Sequence, residues 1–204
     1  MIAIVDYGMG NLRSVFNALE IVGGNPRIVS NPDDLDKAER IVLPGVGAFG
    51  DCINNLCRTG FKDALEKAVL TRGLPILGIC LGMQVMAMQG SEFGDHEGLG
   101  WFSAKVARIN PTNPALSVPH VGWNDINYSH HPMFAGLPTR PDFYFVHSFH
   151  MHCTDQEHIV ATCDYGEQVT AAVAKENIFA TQFHPEKSHD YGLRMLKNFL
   201  EWKP

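Results

Sequence analysis

Up to Gly90 the chain alternates between two periods, and that alternation restricts its fold more than any other feature. Ile2–Val5 is a short β-branched run that closes on Asp6 and the turn formers Gly8 and Gly10; Leu12, Val15, Phe16, Leu19 and Val22 then recur at helical spacing until Gly23-Gly24. The pattern repeats with residues 27–29 as strand, 32–38 as a short helix, 41–43 as strand, helix over 51–70, strand over 74–79 and helix over 81–88. Strands alternating with helices predict parallel βαβ units, and so an α/β, doubly wound, mostly parallel central sheet with helices on both faces.

After Gly90 the helical period disappears. The runs "WFSAKVARI", "HVGWNDI", "DFYFVHSF", "HIVATC", "TAAVA" and "NIFATQF" follow one another with turns between them, and they predict additional antiparallel strands, hairpins or edges, in the C-terminal half. A last amphipathic helix over 191–202 carries Met195, Leu196, Phe199 and Leu200 on one stripe. The 204 residues, 45% hydrophobic and without an internal repeat, are expected to form one domain over 1–204.

Charge and cysteines narrow the function. A net charge of -6 with no Lys/Arg block disfavours nucleic acid and anionic membrane as partners. No apolar run approaches the roughly 18 residues of a membrane span, and "MIAIVDYGMGN" has neither the basic start nor the cleavage site of a secretory signal. Five cysteines without a CxxC pair argue against a disulfide framework or structural zinc, so a reducing, cytoplasmic setting with free thiols is expected. Cys52, Cys57, Cys153 and Cys163 read as structural.

Cys80 reads differently. "GICLG" places it between the 74–79 strand and the next helix with glycines two residues away on each side, the cysteine form of a nucleophile elbow. The helix start behind it favours the thiolate, and the Leu81 N–H points where an oxyanion would develop. A thiol nucleophile needs a base and a group to orient it. "TQFHPEKS" offers His184 with Glu186 two residues on, expected on the same side of an extended segment. "LPGVGAF" follows another strand, and Gly45 and Gly47 leave the loop free to turn N–H groups toward the site.

These motifs are similar to those of the class I, triad-type glutamine amidotransferases. "DYGMGNLRSV", "LPGVGAFGD", "PHVGWN" and "YFVHSF" further resemble the glutaminase subunits of imidazole glycerol phosphate synthase, and the resemblance spans the chain. It implies hydrolysis of L-glutamine to glutamate and ammonia, with ammonia passed to a (β/α)8-barrel cyclase subunit in a heterodimer that serves histidine biosynthesis. It implies Cys80, His184 and Glu186 as the catalytic triad, and Leu81, Val46 and Gly47 around the oxyanion. Gly45, Gln84, Glu92, His147, Ser148 and Phe149 would bind substrate, and Asn11, His120, Trp123, Asn124 and Lys187 would face the cyclase. Phe149 departs from the tyrosine frequent in the family, which removes a hydroxyl contact near the substrate.

No cofactor or metal is expected. "GMGN" has Arg13 where a dinucleotide turn needs its third glycine. His147, His150 and His152 lack ligand spacing to a carboxylate and read as strand histidines. Two alternatives stay open from sequence: the same glutaminase chemistry serving a synthetase that forms amidino groups on surface sugars, and a cysteine hydrolase or binding module on a similar fold.

Overall fold

The branched apolar runs of the first half become strands covered on both faces. The computed structural model describes residues 1–204 and begins with β1 (Ile2–Val5), α1 (Leu12–Ile21), β2 (Pro26–Val29), β3 (Arg40–Gly45), α2 (Phe49–Thr59), α3 (Phe61–Glu66), β4 (Ile76–Cys80), α4 (Leu81–Gln84), β5 (Ala87–Gly90) and β6 (His96–Glu97). It continues with β7 (Phe102–Arg108), β8 (His120–Asp125), β9 (Asn127–Tyr128), β10 (Asp142–His147), β11 (Phe149–Cys153), β12 (Ile159–Asp164), β13 (Gln168–Lys175), β14 (Ile178–Thr181) and α5 (His189–Glu201). No helix is long and apolar enough to cross a membrane.

The main sheet runs β2-β1-β3-β4-β14-β13-β12-β9. Its first five strands are parallel, and β13, β12 and β9 extend it antiparallel, as the mixed α/β reading expects. Alternation along each strand sorts the core into two layers. Ile2, Ile4, Val42, Leu77 and Ile79 pack with Val15 and Leu19 of α1 and Met195, Leu196 and Phe199 of α5. Ala3, Val5, Ile41, Leu43 and Ile76 pack on the opposite face with Leu56 of α2 and Phe61 and Leu65 of α3. Burial on both faces is why these strands read as unbroken apolar runs, each large side chain contributing about 2 kcal/mol.

Four expectations need correction. The helix expected over 81–88 stops at Gln84, because the Val85 and Met86 carbonyls accept from the N–H groups of Leu99, Trp101 and Phe102 and draw the chain into β5 beside β7. An apolar run of that length does not distinguish the two states, and tertiary pairing decides. The helix expected over 51–70 breaks at Gly60, whose φ of 78° ends α2 and starts α3. Not all later strands extend the main sheet, since β11-β7-β5-β6 and β10-β8 form two sheets of their own. Finally β14, read as a hairpin or edge, is a parallel interior strand between β4 and β13.

That last placement creates the site. Gly45 of β3 lies opposite Cys80 of β4, and Thr181 of β14 lies opposite Ile79, so the segments leaving three neighbouring parallel strands emerge together. Ligand sites in open α/β sheets form at such carboxyl ends. The approach of α4 to β3 is set by Gly82, where a Cβ would overlap the Leu43 carbonyl oxygen. Gly82→Ala is expected to destabilise the protein by at least about 2 kcal/mol in urea titrations. Gly23→Ala, with positive φ but open space around it, should cost only about 1 kcal/mol, and equal costs would contradict this account of the packing.

Candidate active site

Cys80 is held in a conformation that L-residues avoid, with φ 55° and ψ -111°. Such backbone strain costs about 1–3 kcal/mol and persists only where the surroundings enforce it. Here they do. A Cβ on Gly78 would stand 2.7 Å from the Met86 methyl and 3.0 Å from both the Ala180 Cβ and the Gly82 carbonyl, so the strand, the elbow and α4 are locked together. The helix behind the sulfur is one turn long, Leu81–Gln84, so the end dipole expected to support a thiolate is weak.

His184 and Glu186 meet with Nδ1 2.8 Å from Oε1. The geometric reason differs from the expected one, because Pro185–Lys187 is a 3-10 turn, which swings the carboxylate back under the ring. His184 is seated by its N–H to the Tyr144 carbonyl (2.9 Å) and by Ser188 Oγ, which donates to the His184 carbonyl at 2.6 Å. Burial opposes charge on the ring, yet the Glu186 carboxylate bonded to it and the neighbouring Cys80 sulfur prevail and raise its pKa to about 9. His184 Nε2 is buried without a partner, a free position on the ring that calls for an explanation.

A cavity of about 290 Å³ opens over these groups, lined by Cys80, Leu81, Val46, Gly47, Gln84, Glu92, His147, Ser148, Phe149, His184 and Lys187 together with Pro119 and Val146, which sequence reasoning missed. Gly45 is not on that wall. Its role is close packing, since a Cβ there would lie 2.6 Å from Tyr7 Oη and 2.9 Å from the Gly82 nitrogen. Tyr7 Oη in turn donates to the Pro44 carbonyl at 3.0 Å, fixing the strand end from which the Val46-Gly47 loop departs. Glu92 Oε2 accepts from Phe49 N at 2.9 Å and so caps α2 while facing the cavity.

The other thiols separate from Cys80. Burial pushes Cys52 and Cys163 up to about 12 and Cys153 up to about 11, so they remain protonated at neutral pH. Cys57, expected to be structural, is exposed on α2. No three His, Cys, Asp or Glu side chains are grouped to hold a metal ion.

The residues assigned to a partner face divide. Trp123 is 47% exposed and stacks on His189 with ring centroids 4.9 Å apart. Asn11, Asn124 and Lys187 are half-buried. His120 is buried, contrary to a surface role, and belongs to a hydrogen-bonded chain. His147 Nδ1 lies 2.8 Å from the Phe149 carbonyl and must donate to it, which leaves Nε2 as an acceptor. His120 Nδ1, 3.0 Å away, therefore donates to that nitrogen, and Asn124 Nδ2 faces His120 Nε2 at 3.4 Å. Burial drives both rings toward neutrality, to about 4 for His120 and about 3 for His147.

The sequence pattern of the family described as "Glutamine amidotransferase class-I" matches residues 3–202. The chain belongs to the class-I glutamine amidotransferases. Among its relatives in this family, "Imidazole glycerol phosphate synthase subunit HisH" of Zymomonas mobilis is 48% identical over 100% of this chain and 96% of its own length. The protein of the same name from Mesorhizobium japonicum is 47% identical, covering 100% and 99%. Solved structures agree on the fold: "Structure of PurLQS from Thermotoga maritima" superposes with a TM-score of 0.77 at 21% identity over 98% of this chain and 97% of that one. "Crystal structure of glutamine amidotransferase" superposes at 0.76 with 20% identity, covering 98% of each.

The neutral imidazole pair gives this class-I chain a testable signature. Nitrogen-15 spectra should show His120 and His147 as Nδ1–H tautomers between pH 5 and 8; an Nε2–H form of His147 would contradict the chain of donors. Both folded pKa values lie below the ordinary 6.5, so the unfolded state binds more protons as pH drops from there. Their contribution to stability is intact above about pH 6.5 and is lost as pH falls through about 4 for His120 and about 3 for His147, which urea midpoints at stepped pH will register.

Proposed function

We propose that this chain is the glutaminase subunit of an imidazole glycerol phosphate synthase, hydrolysing L-glutamine to glutamate and ammonia for a cyclase partner in histidine biosynthesis. The observation that carries this is the joint one: near-half identity over the full length to subunits of that name, and a sulfur and an imidazole on one cavity wall with a carboxylate bonded behind the imidazole. Residues 1–204 act as one amidotransferase domain in the cytoplasm.

Cys80 Sγ, its proton held by His184, attacks the carboxamide carbon of glutamine. Glu186 keeps Nδ1 bonded, so Nε2 is the nitrogen that carries the mobile proton. The tetrahedral oxyanion is received by the Leu81 N–H and the Val46-Gly47 peptide. His184 delivers its proton to the departing nitrogen, ammonia leaves, and a thioester to Cys80 remains. Water then attacks the thioester with His184 accepting its proton, and glutamate departs as the thiol is restored. Glu92, Gln84, Ser148 and Phe149 hold the substrate's other end, with no hydroxyl on Phe149, while His147, both ring nitrogens engaged, serves as wall.

The partner docks beside the cavity. Trp123 pairs with Tyr144 and Val121 with Val146 across β8 and β10, and Val121 (55%), Trp123 (47%) and Val146 (36%) stand exposed on that ribbon. Val146 also lines the cavity, so the apolar strip borders its mouth. An exposed apolar patch next to a site suits a covering subunit. Gly47, at φ 102°, lets the Val46-Gly47 peptide rotate at low cost, and docking selects the orientation that turns a donor into the oxyanion position.

One assay tests both halves. Cys80→Ala in the complex should lose glutamine hydrolysis by several orders of magnitude while keeping ammonia-dependent synthesis, and normal turnover would refute the nucleophile. The wild-type subunit alone should hydrolyse glutamine far more slowly than the complex with nucleotide substrate; equal rates would refute the peptide switch.

A further inference from the structure

We infer that Gln182 is a catalytic residue whose side-chain N–H holds the negative charge on the Cys80 sulfur. The inference deepens the proposed glutaminase reading and rests on it for the word catalytic, while the hydrogen-bond argument stands on its own.

Gln182 follows β14 and is fully buried. Its backbone is fixed by an N–H to the Ala171 carbonyl at 2.9 Å. The side-chain amide has two ends, and the neighbours dictate which faces the sulfur. The Phe149 carbonyl can only accept, so the end of Gln84 that lies 2.9 Å from it must be Nε2. The same Gln84 Nε2 lies 3.0 Å from Gln182, where it must meet an acceptor, and this fixes Oε1 of Gln182 on that side. Nε2 of Gln182 is thereby turned toward Cys80 Sγ, at 3.7 Å. His147 Nδ1 donates to the same Phe149 carbonyl, so the anchor of the series is itself held.

The energetics of that contact select a thiolate. A buried amide N–H whose acceptor is a neutral thiol is poorly satisfied, because thiol sulfur is a weak acceptor. With a thiolate the same bond becomes charge-assisted and roughly twice as strong. The alternative contact of the sulfur, to the Val146 carbonyl at 3.9 Å, requires a thiol hydrogen and disappears on ionisation. Gln182 on one side and the His184 ring on the other therefore bracket the charged sulfur. This supplies what the one-turn α4 cannot.

The test is the pH dependence of Cys80 alkylation by iodoacetamide, followed by peptide mass mapping in a Cys57→Ser background, since Cys57 is the exposed thiol. Gln182→Met keeps the length and removes the donor. Gln182→Glu keeps the shape and turns a carboxylate oxygen toward the sulfur. The alkylation midpoint should move to higher pH in both, by about one unit or more for Met and further for Glu, and alkylation at pH 7 should fall roughly tenfold or more. Glutaminase kcat in the complex should fall with it, and KM much less. An unmoved midpoint in folded Gln182→Met, whatever happens to kcat, would reduce Gln182 to packing and overturn the proposal. If Met disturbs folding by circular dichroism, the near-isosteric Glu variant decides alone. Wild-type complex without glutaminase activity but with a shifted midpoint in the variants would instead sink the functional reading and leave the sulfur contact standing.

Discussion

The structure depends on the close passage of α4 across the ends of β3 and β4. Gly82 lies against the Leu43 carbonyl, and Gly78 beneath Met86 and Ala180, so the chain has no route from strand to helix except through a left-handed residue at Cys80. The strain of about 1–3 kcal/mol is modest beside the burial of Ile76, Leu77 and Ile79, each contributing about 2 kcal/mol, and the core can therefore hold the sulfur where local preference would not. Strand register sets the ends of β3 and β14, at Gly45 and Thr181, beside that elbow.

Around the sulfur, burial acts on similar groups with opposite results. His120 and His147 are buried with neutral partners and are driven toward the uncharged form, which lets their protons point one way along a chain that ends on the Phe149 carbonyl. His184 is equally buried but sits between a carboxylate and a sulfur, and those partners outweigh desolvation. One imidazole is held toward its charged form while two are held neutral, and the difference lies in what each ring touches. The Phe149 carbonyl joins the two systems, because Gln84 and His147 both donate to it.

Much of this was legible in the chain wherever the signal was local. The strand, glycine and cysteine order around Cys80 specifies the elbow without reference to anything distant, and the parallel strands of the first half follow from their unbroken apolar runs. The His184 and Glu186 pair was legible as residue types but not as geometry, since Pro185 opens a 3-10 turn that an extended reading does not foresee. Residues 85–88 were misread because β7, the partner that draws the chain into β5, lies beyond a loop. The interior position of β14 and the burial of His120 depend on register across the sheets, which no periodicity encodes. Gln182 escaped for a related reason: an amide next to a histidine motif acquires a direction only from Gln84 and Phe149, brought there by the fold.

The measurement closest to the centre of this interpretation is covalent labelling by an electrophile shaped like glutamine, mapped by mass spectrometry on the intact complex. A single adduct on the Cys80 peptide, formed at a rate that L-glutamine suppresses in proportion to its occupancy, is the expected result. Modification spread to Cys57 or other sites, or a rate at Cys80 indifferent to glutamine, would contradict it.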